Sequence, residues 1–387
     1  MAHKAYRPNG WISAGAIFFS LIFLFSAPFT LFQSEYQFLR AFVSYAIFMT
    51  VFAFAITHIG SGEIYSFRSA LILISCFLAG ESLVTYFNFV GSIDGEDIKN
   101  IVGSQRVGFI YIIGFFVLLN LSSPTRFLKI AKISAILLIL AGIMLTYSRS
   151  SVIALGGTVG LYILVKALQG QTWHRRSLPN IVAVVLMGFA LAVAIYMVFP
   201  NVFAFYGDRI LTRYGHFFEM LIPFELFTAP DAPLPDDVLI QAGSEGTRLA
   251  IWKAIFKHTL ENPILGSGYR GSWILDSVTT GSAHSQYMDV LLRVGFLGFV
   301  VWALILYKVF LFLRRYHPDL FWGGVGILIY GLFHETFKES QGAFILAFLV
   351  GMYVNHLRDR RHTRYVLVAQ GDLVTVDPPR DDGPQVL

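Results

Sequence analysis

Three side chains of this sequence, Arg149, Arg248 and His284, have types and settings suited to anion binding and proton transfer. Arg149 stands in Thr146-Tyr147-Ser148-Arg149-Ser150-Ser151, between two apolar runs joined by almost no loop, so its guanidinium must lie at or just below a membrane interface. At that depth it snorkels, pairs or binds an anion. It therefore reads either as an interface anchor or as a clamp on phosphate oxygens, to which it presents permanent charge and bidentate donors. Arg248 belongs to the stretch Glu245 to Glu261, which Asn262-Pro263 must close as a helix and which Ser244 could cap. At ~100° per residue, Leu249, Trp252, Ile255, Phe256 and Leu260 share an apolar face while Lys253 and Lys257 point away. Arg248 falls between Ile255 and Trp252, so it points toward the body of the protein, either snorkelling or joining Arg149 at a pyrophosphate. His284, in Ala283-His284-Ser285-Gln286-Tyr287, opens a later apolar run. It is either a structural histidine or a neutral base that takes a proton from a sugar hydroxyl attacking an anomeric carbon. His334 and Glu335, at the end of the next run, read as a polar helix end or as auxiliary groups that orient that base.

The elements that must position these residues are membrane helices. With 56% hydrophobic and 14% charged residues, the chain is too apolar for a soluble core of its length. Uncharged windows of about 20 residues, long enough to cross a ~30 Å hydrocarbon layer, recur along it. They predict an all-α polytopic bundle of about ten spans near 11–32, 39–58, 67–89, 105–121, 128–147, 150–167, 181–199, 286–312, 319–333 and 342–357. The first is expected to be an uncleaved span and not a signal peptide, because its apolar stretch runs from Trp11 to about Phe32. From a cytoplasmic N-terminus, Arg126, Lys129 and Lys132, then Lys166, Arg175 and Arg176, then Arg314 and Arg315, and finally Arg358, Arg360, Arg361 and Arg364 all fall inside. Asp94, Glu96, Asp97 and the acidic stretch Asp231 to Asp237 fall outside. Residues 1–357 thus read as one integral membrane domain with a helix-containing periplasmic loop, 200–284, between spans seven and eight. Residues 358–387 read as an unstructured cytoplasmic tail, and both termini as cytoplasmic.

Several chemistries find no support. Basic residues concentrated in short loops, despite a net charge of +5, signal topology and not nucleic acid. Cys76, the single cysteine, lies in an apolar run and reads as a packing residue. Histidines and carboxylates do not recur at metal-ligand spacing, and neither an Asp-x-Asp pair nor a Gly-rich phosphate loop occurs, so no metal or other cofactor is expected.

Three stretches together resemble the bacterial O-antigen ligases and the related O-antigen and exopolysaccharide polymerases. They are Leu145-Thr146-Tyr147-Ser148-Arg149; Arg248-x-x-x-Trp252 followed by Asn262-Pro263-Ile264-Leu265-Gly266-Ser267-Gly268; and Ala283-His284-Ser285-Gln286-Tyr287 leading through Gly295 and Gly298. The resemblance covers about residues 135–300. It implies a metal-independent inner-membrane glycosyltransferase, active at the periplasmic face, that moves a glycan from undecaprenyl diphosphate to lipid A-core or to a second lipid-linked glycan. Carried over by position, Arg149 and Arg248 would contact the diphosphate and His284 would serve the acceptor. Ser150 and Ser285 depart from that pattern, where the family often has Gly and Asn. Intramembrane charges such as Glu81 and Arg106 motivate the other reading, a transporter or flippase of a lipid-linked or anionic substrate. A third, a membrane scaffold, would leave the two arginines unrelated in space.

Overall fold

Away from water a backbone must satisfy its own hydrogen bonds, and apolar runs of this kind therefore fold as helices. The structure, a computed structural model, describes residues 35–58, 61–89, 108–146, 148–168, 244–264, 266–268, 283–338 and 340–369. Among these residues the regular structure is helical: α1 Glu35–His58, α2 Ser61–Phe89, α3 Gly108–Asn120, α4 Arg126–Leu145, α5 Arg149–Leu168, α6 Ser244–Glu261, α7 Gln286–Tyr316, α8 Pro318–Tyr330, a 3-10 turn Thr336–Lys338, and α9 Ser340–Ala369. The segments Glu63–Asn88, Arg126–Leu145, Arg149–Leu168 and Gln286–Tyr316 are long and apolar enough to cross a membrane, as expected of an integral membrane protein. The expected spans 11–32 and 181–199, the loop around Asp94, Arg106, Arg175, Arg176, the segment 200–243 with Asp231 to Asp237, and the chain beyond Ala369 lie outside the described residues.

The window at 319–333 takes a different form from the one its hydropathy suggests: it corresponds to α8, of 13 residues, about 20 Å at 1.5 Å per residue and short of the hydrocarbon layer. The described part of the window at 105–121 is α3. Every residue from Gly108 to Leu118 is buried. Apolarity here serves the protein interior, with α2, α4, α5 and α8 packed around α3. Small residues permit the approach. A Cβ on Gly114 would come within 2.1 Å of Ser75 Oγ, and one on Gly326 within 2.3 Å of an Ile112 methyl. Cys76 is half-buried against this core. Glu81, in contrast, lies on an exposed face of α2 among the described residues.

α8 runs antiparallel to α3, with Gly323 against Ile113 and Tyr330 against Gly108, so the bundle has two poles. At one, Lys132 Nζ donates to the Leu119 and Leu121 carbonyls at the end of α3 (2.9 and 2.8 Å), placing positive charge where the helix dipole favours it. There too Arg68 grips Asp319 through two bonds of 2.6 Å, and Arg358 donates to the Ile56 carbonyl at 2.9 Å. α9 continues through Arg358 and Arg361 to Ala369, so the boundary of the expected unstructured tail, 358, falls inside a helix. Arg149, Arg248 and His284 lie at the other pole.

α7 is broken at Gly295 (φ 65, ψ −174). The turn after α6 docks on the break: Ser267 N–H donates to the Leu292 carbonyl at 2.7 Å and Phe296 N–H to that of Pro263 at 2.8 Å. Gly266 and Gly295 meet there, both at positive φ, and a Cβ on either would lie within 2.6 Å of a backbone oxygen. The glycines read from the sequence as a motif are a joint that sets α6 against α7.

Gly295→Ala is expected to destabilise the protein by more than about 1 kcal/mol, because it adds both strain and a clash. Gly160→Ala, where a Cβ meets nothing within 4 Å, is expected to leave stability unchanged or raised. Thermal unfolding in detergent compares them, and equal midpoints would refute the joint.

At the opposite pole, burial, followed by the charge of Arg68, pushes the His317 imidazole down to about 4. The fold favours the neutral ring, so this contribution is complete above the ordinary value near 6.5 and is lost as pH falls toward 4. His317→Gln is expected to flatten the stability profile across that window. A wild-type profile already flat there would exclude the effect.

Candidate functional site

The turn between α4 and α5 is built by its own hydroxyls. Thr146 closes α4, its Oγ1 donating to the Ile143 carbonyl at 2.7 Å. Ser148 then caps α5: its Oγ accepts from Ser151 N–H at 3.4 Å and from Ser151 Oγ at 2.8 Å. Arg149 is thereby the first residue of α5, half-buried. A helix start carries partial positive charge, which disfavours a cation and favours an anion beside it.

α6 begins at Ser244, runs to Glu261 and ends at Asn262-Pro263 as its sequence requires. Ile251, Ile255 and Thr259 form its buried face, with Trp252 half-buried alongside. Leu260, expected on that face, is 49% exposed, and Lys257 is exposed as expected. The face rotates because Ile251 and Ile255 pack with Ala283 and Leu292, next to the glycine joint. Arg248 is half-buried on the side of this face, and its charge reaches the hydroxyl of Tyr330 at the end of α8.

The last strip of the site is the chain entering α7. His284 is half-buried and has φ 51, the left-handed region that side chains other than glycine rarely occupy, at a cost of about 1–2 kcal/mol. Its neighbours are held firmly. Ala283, fully buried, accepts at its carbonyl from Trp252 Nε1 at 2.9 Å and donates its N–H to the Glu335 carboxylate. Gln286 N–H donates to the Gly331 carbonyl at 2.7 Å, and Gln286 Oε1 accepts from Phe337 N–H at 2.6 Å.

The turn 331–337 after α8 is consequently the meeting point. α8 ends at Tyr330, three residues before the expected limit of 333, with Gly331 as its cap. His334 and Glu335 therefore sit in a turn and reach different partners. Glu335 grips Ala283, while His334 stacks on Tyr330 (4.6 Å between ring centres, 15° between planes) and meets Ser150 Oγ through Nε2 at 3.1 Å. The Tyr330 hydroxyl is bonded to Ser148, Ser151 and the backbone of Gly108. A continuous set of contacts thus joins the segments bearing Arg149, Arg248, His284, His334 and Glu335 at one pole. Both departures from the family pattern face this turn, Ser150 through His334 and Ser285 with its Oγ 3.5 Å from the Gly331 carbonyl.

Sequence reasoning overlooked Tyr330 and the roles of Gln286 and the Trp252 N–H. Tyr330 had one available signal, its i,i+4 spacing from His334, which lets the rings stack if the helical path is maintained. Among the described residues no three His, Cys, Asp or Glu side chains gather as they would around a metal ion.

Comparison with known proteins bears on this geometry. Residues 134–303 match the family model described as O-antigen ligase, a stretch that contains Arg149, Arg248 and His284 and stops short of His334 and Glu335. No curated protein matches the chain. The three stretches that carried the resemblance all lie inside the matched segment, and the chain is an integral membrane protein whose residues 134–303 are similar to the O-antigen ligase family.

Proposed function

We propose that the protein transfers a glycan from undecaprenyl diphosphate to a hydroxyl of a periplasmic acceptor, as an O-antigen ligase or a polysaccharide polymerase. The observation that supports it best is the hydrogen-bonded convergence of the Arg149, Arg248 and His284 segments on the turn 331–337. The match of residues 134–303 to the O-antigen ligase family model supports a glycosyltransferase-type enzyme.

In this reading Arg149, at the start of α5, and Arg248, on the inner face of α6, bind the donor diphosphate. His284 takes the proton of the acceptor hydroxyl as its oxygen attacks the anomeric carbon. The new glycosidic C–O bond forms as the bond from that carbon to the diphosphate oxygen breaks, with inversion. Both electrons of the broken bond leave with undecaprenyl diphosphate, and the guanidiniums stabilise the added charge. No metal takes part. His334 and Glu335 are auxiliary. The acceptor is lipid A-core for a ligase and another lipid-linked glycan for a polymerase, and the site faces the periplasm from the inner membrane. A transporter would instead require an ionisable pathway to the opposite pole, where Arg68 is committed to Asp319.

The test is glycan transfer by the purified protein from an undecaprenyl-diphosphate donor, with lipid A-core and a second lipid-linked glycan offered separately. His284→Ala is expected to lower kcat by about 10²–10⁴-fold, and Arg248→Ala by about 10²–10³-fold. Arg149→Ala is expected chiefly to raise the KM for the donor. The acceptor consumed distinguishes ligase from polymerase. A folded wild-type protein that leaves every donor intact, or mutants that match it, would bring the transporter forward.

A further inference from the structure

His284 occupies a strained backbone conformation, φ 51, and something must hold it there. The residue before it is held at both polar groups. Ala283 N–H donates to the Glu335 carboxylate, and the Ala283 carbonyl, part of the peptide that leads into His284, accepts from Trp252 Nε1 at 2.9 Å. Ala283 is fully buried, and Ile251, Ile255 and Leu292 back it, so these two side chains are its polar partners in an otherwise apolar setting. On the far side of His284, Gln286 is tied to Gly331 and Phe337. The histidine is thus bracketed by anchors, three of which come from the turn carrying Glu335.

Trp252 has a second relation. It lies one helical turn beyond Arg248 on α6, so its bond to Ala283 links the helix that presents the arginine to the segment that presents the imidazole.

We infer that Glu335 and Trp252 are positioning residues for His284: they clamp the Ala283 backbone so that the imidazole is held at a set distance from the guanidinium of Arg248. The inference rests on the proposed glycosyl transfer, in which His284 is the base. Neither residue touches the reacting atoms. Their effect is on orientation, and displacing a reacting group by about 1 Å can cost ~10²-fold in rate.

The experiment uses full-length protein in detergent, with kcat, donor KM and thermal midpoint read for Glu335→Ala, Glu335→Gln and Trp252→Phe. Glu335→Ala and Trp252→Phe are expected to lower kcat by about 10–10²-fold with donor KM within about twofold. Glu335→Gln, whose amide oxygen accepts the same bond, is expected to recover most of the loss. In a His284→Ala background, adding Glu335→Ala is expected to change the residual rate little, because the group it positions is gone. Wild-type kcat in Glu335→Ala, or a Gln variant as slow as Ala, would overturn the clamp while leaving the base intact. Wild-type turnover by His284→Ala would instead remove the base from the proposed reaction. Should Glu335→Ala fail to fold, Trp252→Phe and Glu335→Gln decide the matter, the first expected slow and the second expected active.

Discussion

A buried backbone polar group without a partner costs more than a hydrogen bond contributes, and the turn 331–337 is where several segments of this protein meet that demand together. Gly331 supplies a carbonyl to Gln286, Glu335 a carboxylate to Ala283, and Phe337 an N–H to the Gln286 side chain. His334 extends the turn to Ser150. Remove this turn and the chain entering α7, the start of α5 and the α6 helix lose their common reference. The placement of Arg149, Arg248 and His284 therefore depends on residues outside the proposed catalytic set.

The packing of the short helix α8 makes such a turn possible. α3 is buried along nearly its whole length, and α8 lies against it through Gly323 and Gly326. Because α8 is only 13 residues long, it brings Asp319 to one pole and Tyr330 to the other. At its first turn Asp319 is neutralised by Arg68; at its last, Tyr330 is bonded to Ser148 and Ser151. Asp319 is buried while Arg68 is partly exposed, and a buried carboxylate left without its cation is costly, so a contact at each end fixes α8 in place. The proposed reaction needs a base and a guanidinium in fixed relation to one substrate.

Membrane helices hid part of this from sequence reading. Hydropathy does not separate a helix facing lipid from one facing protein, since both solvents are apolar. The window at 319–333 for that reason reads as an ordinary span, and it corresponds instead to the short helix α8; the described part of the window at 105–121, α3, is buried in protein. The wheel position of Leu260 predicts an inward side chain, but the tertiary partners of α6 select Ile251, Ile255 and Thr259 and leave Leu260 exposed. The glycine motif was legible as residues, although its meaning as a joint required both of its halves, Gly266 and Gly295, to be seen in contact.

The sequence by itself determined that this is an integral membrane protein, where α6 ends, and which three stretches carry its likeness to the O-antigen ligases. Those properties follow from local quantities: apolar length, a proline that cannot continue a helix, and residue types at short spacing. Only the tertiary structure decided that His334 and Glu335 reach different partners, that Tyr330 lies beneath the Arg149 turn, and that Trp252 and Glu335 hold the two polar groups of Ala283. These contacts join residues 31 to 184 positions apart. Which distant polar groups pair in a buried setting depends on how the helices pack, and no local pattern in the chain encodes that choice.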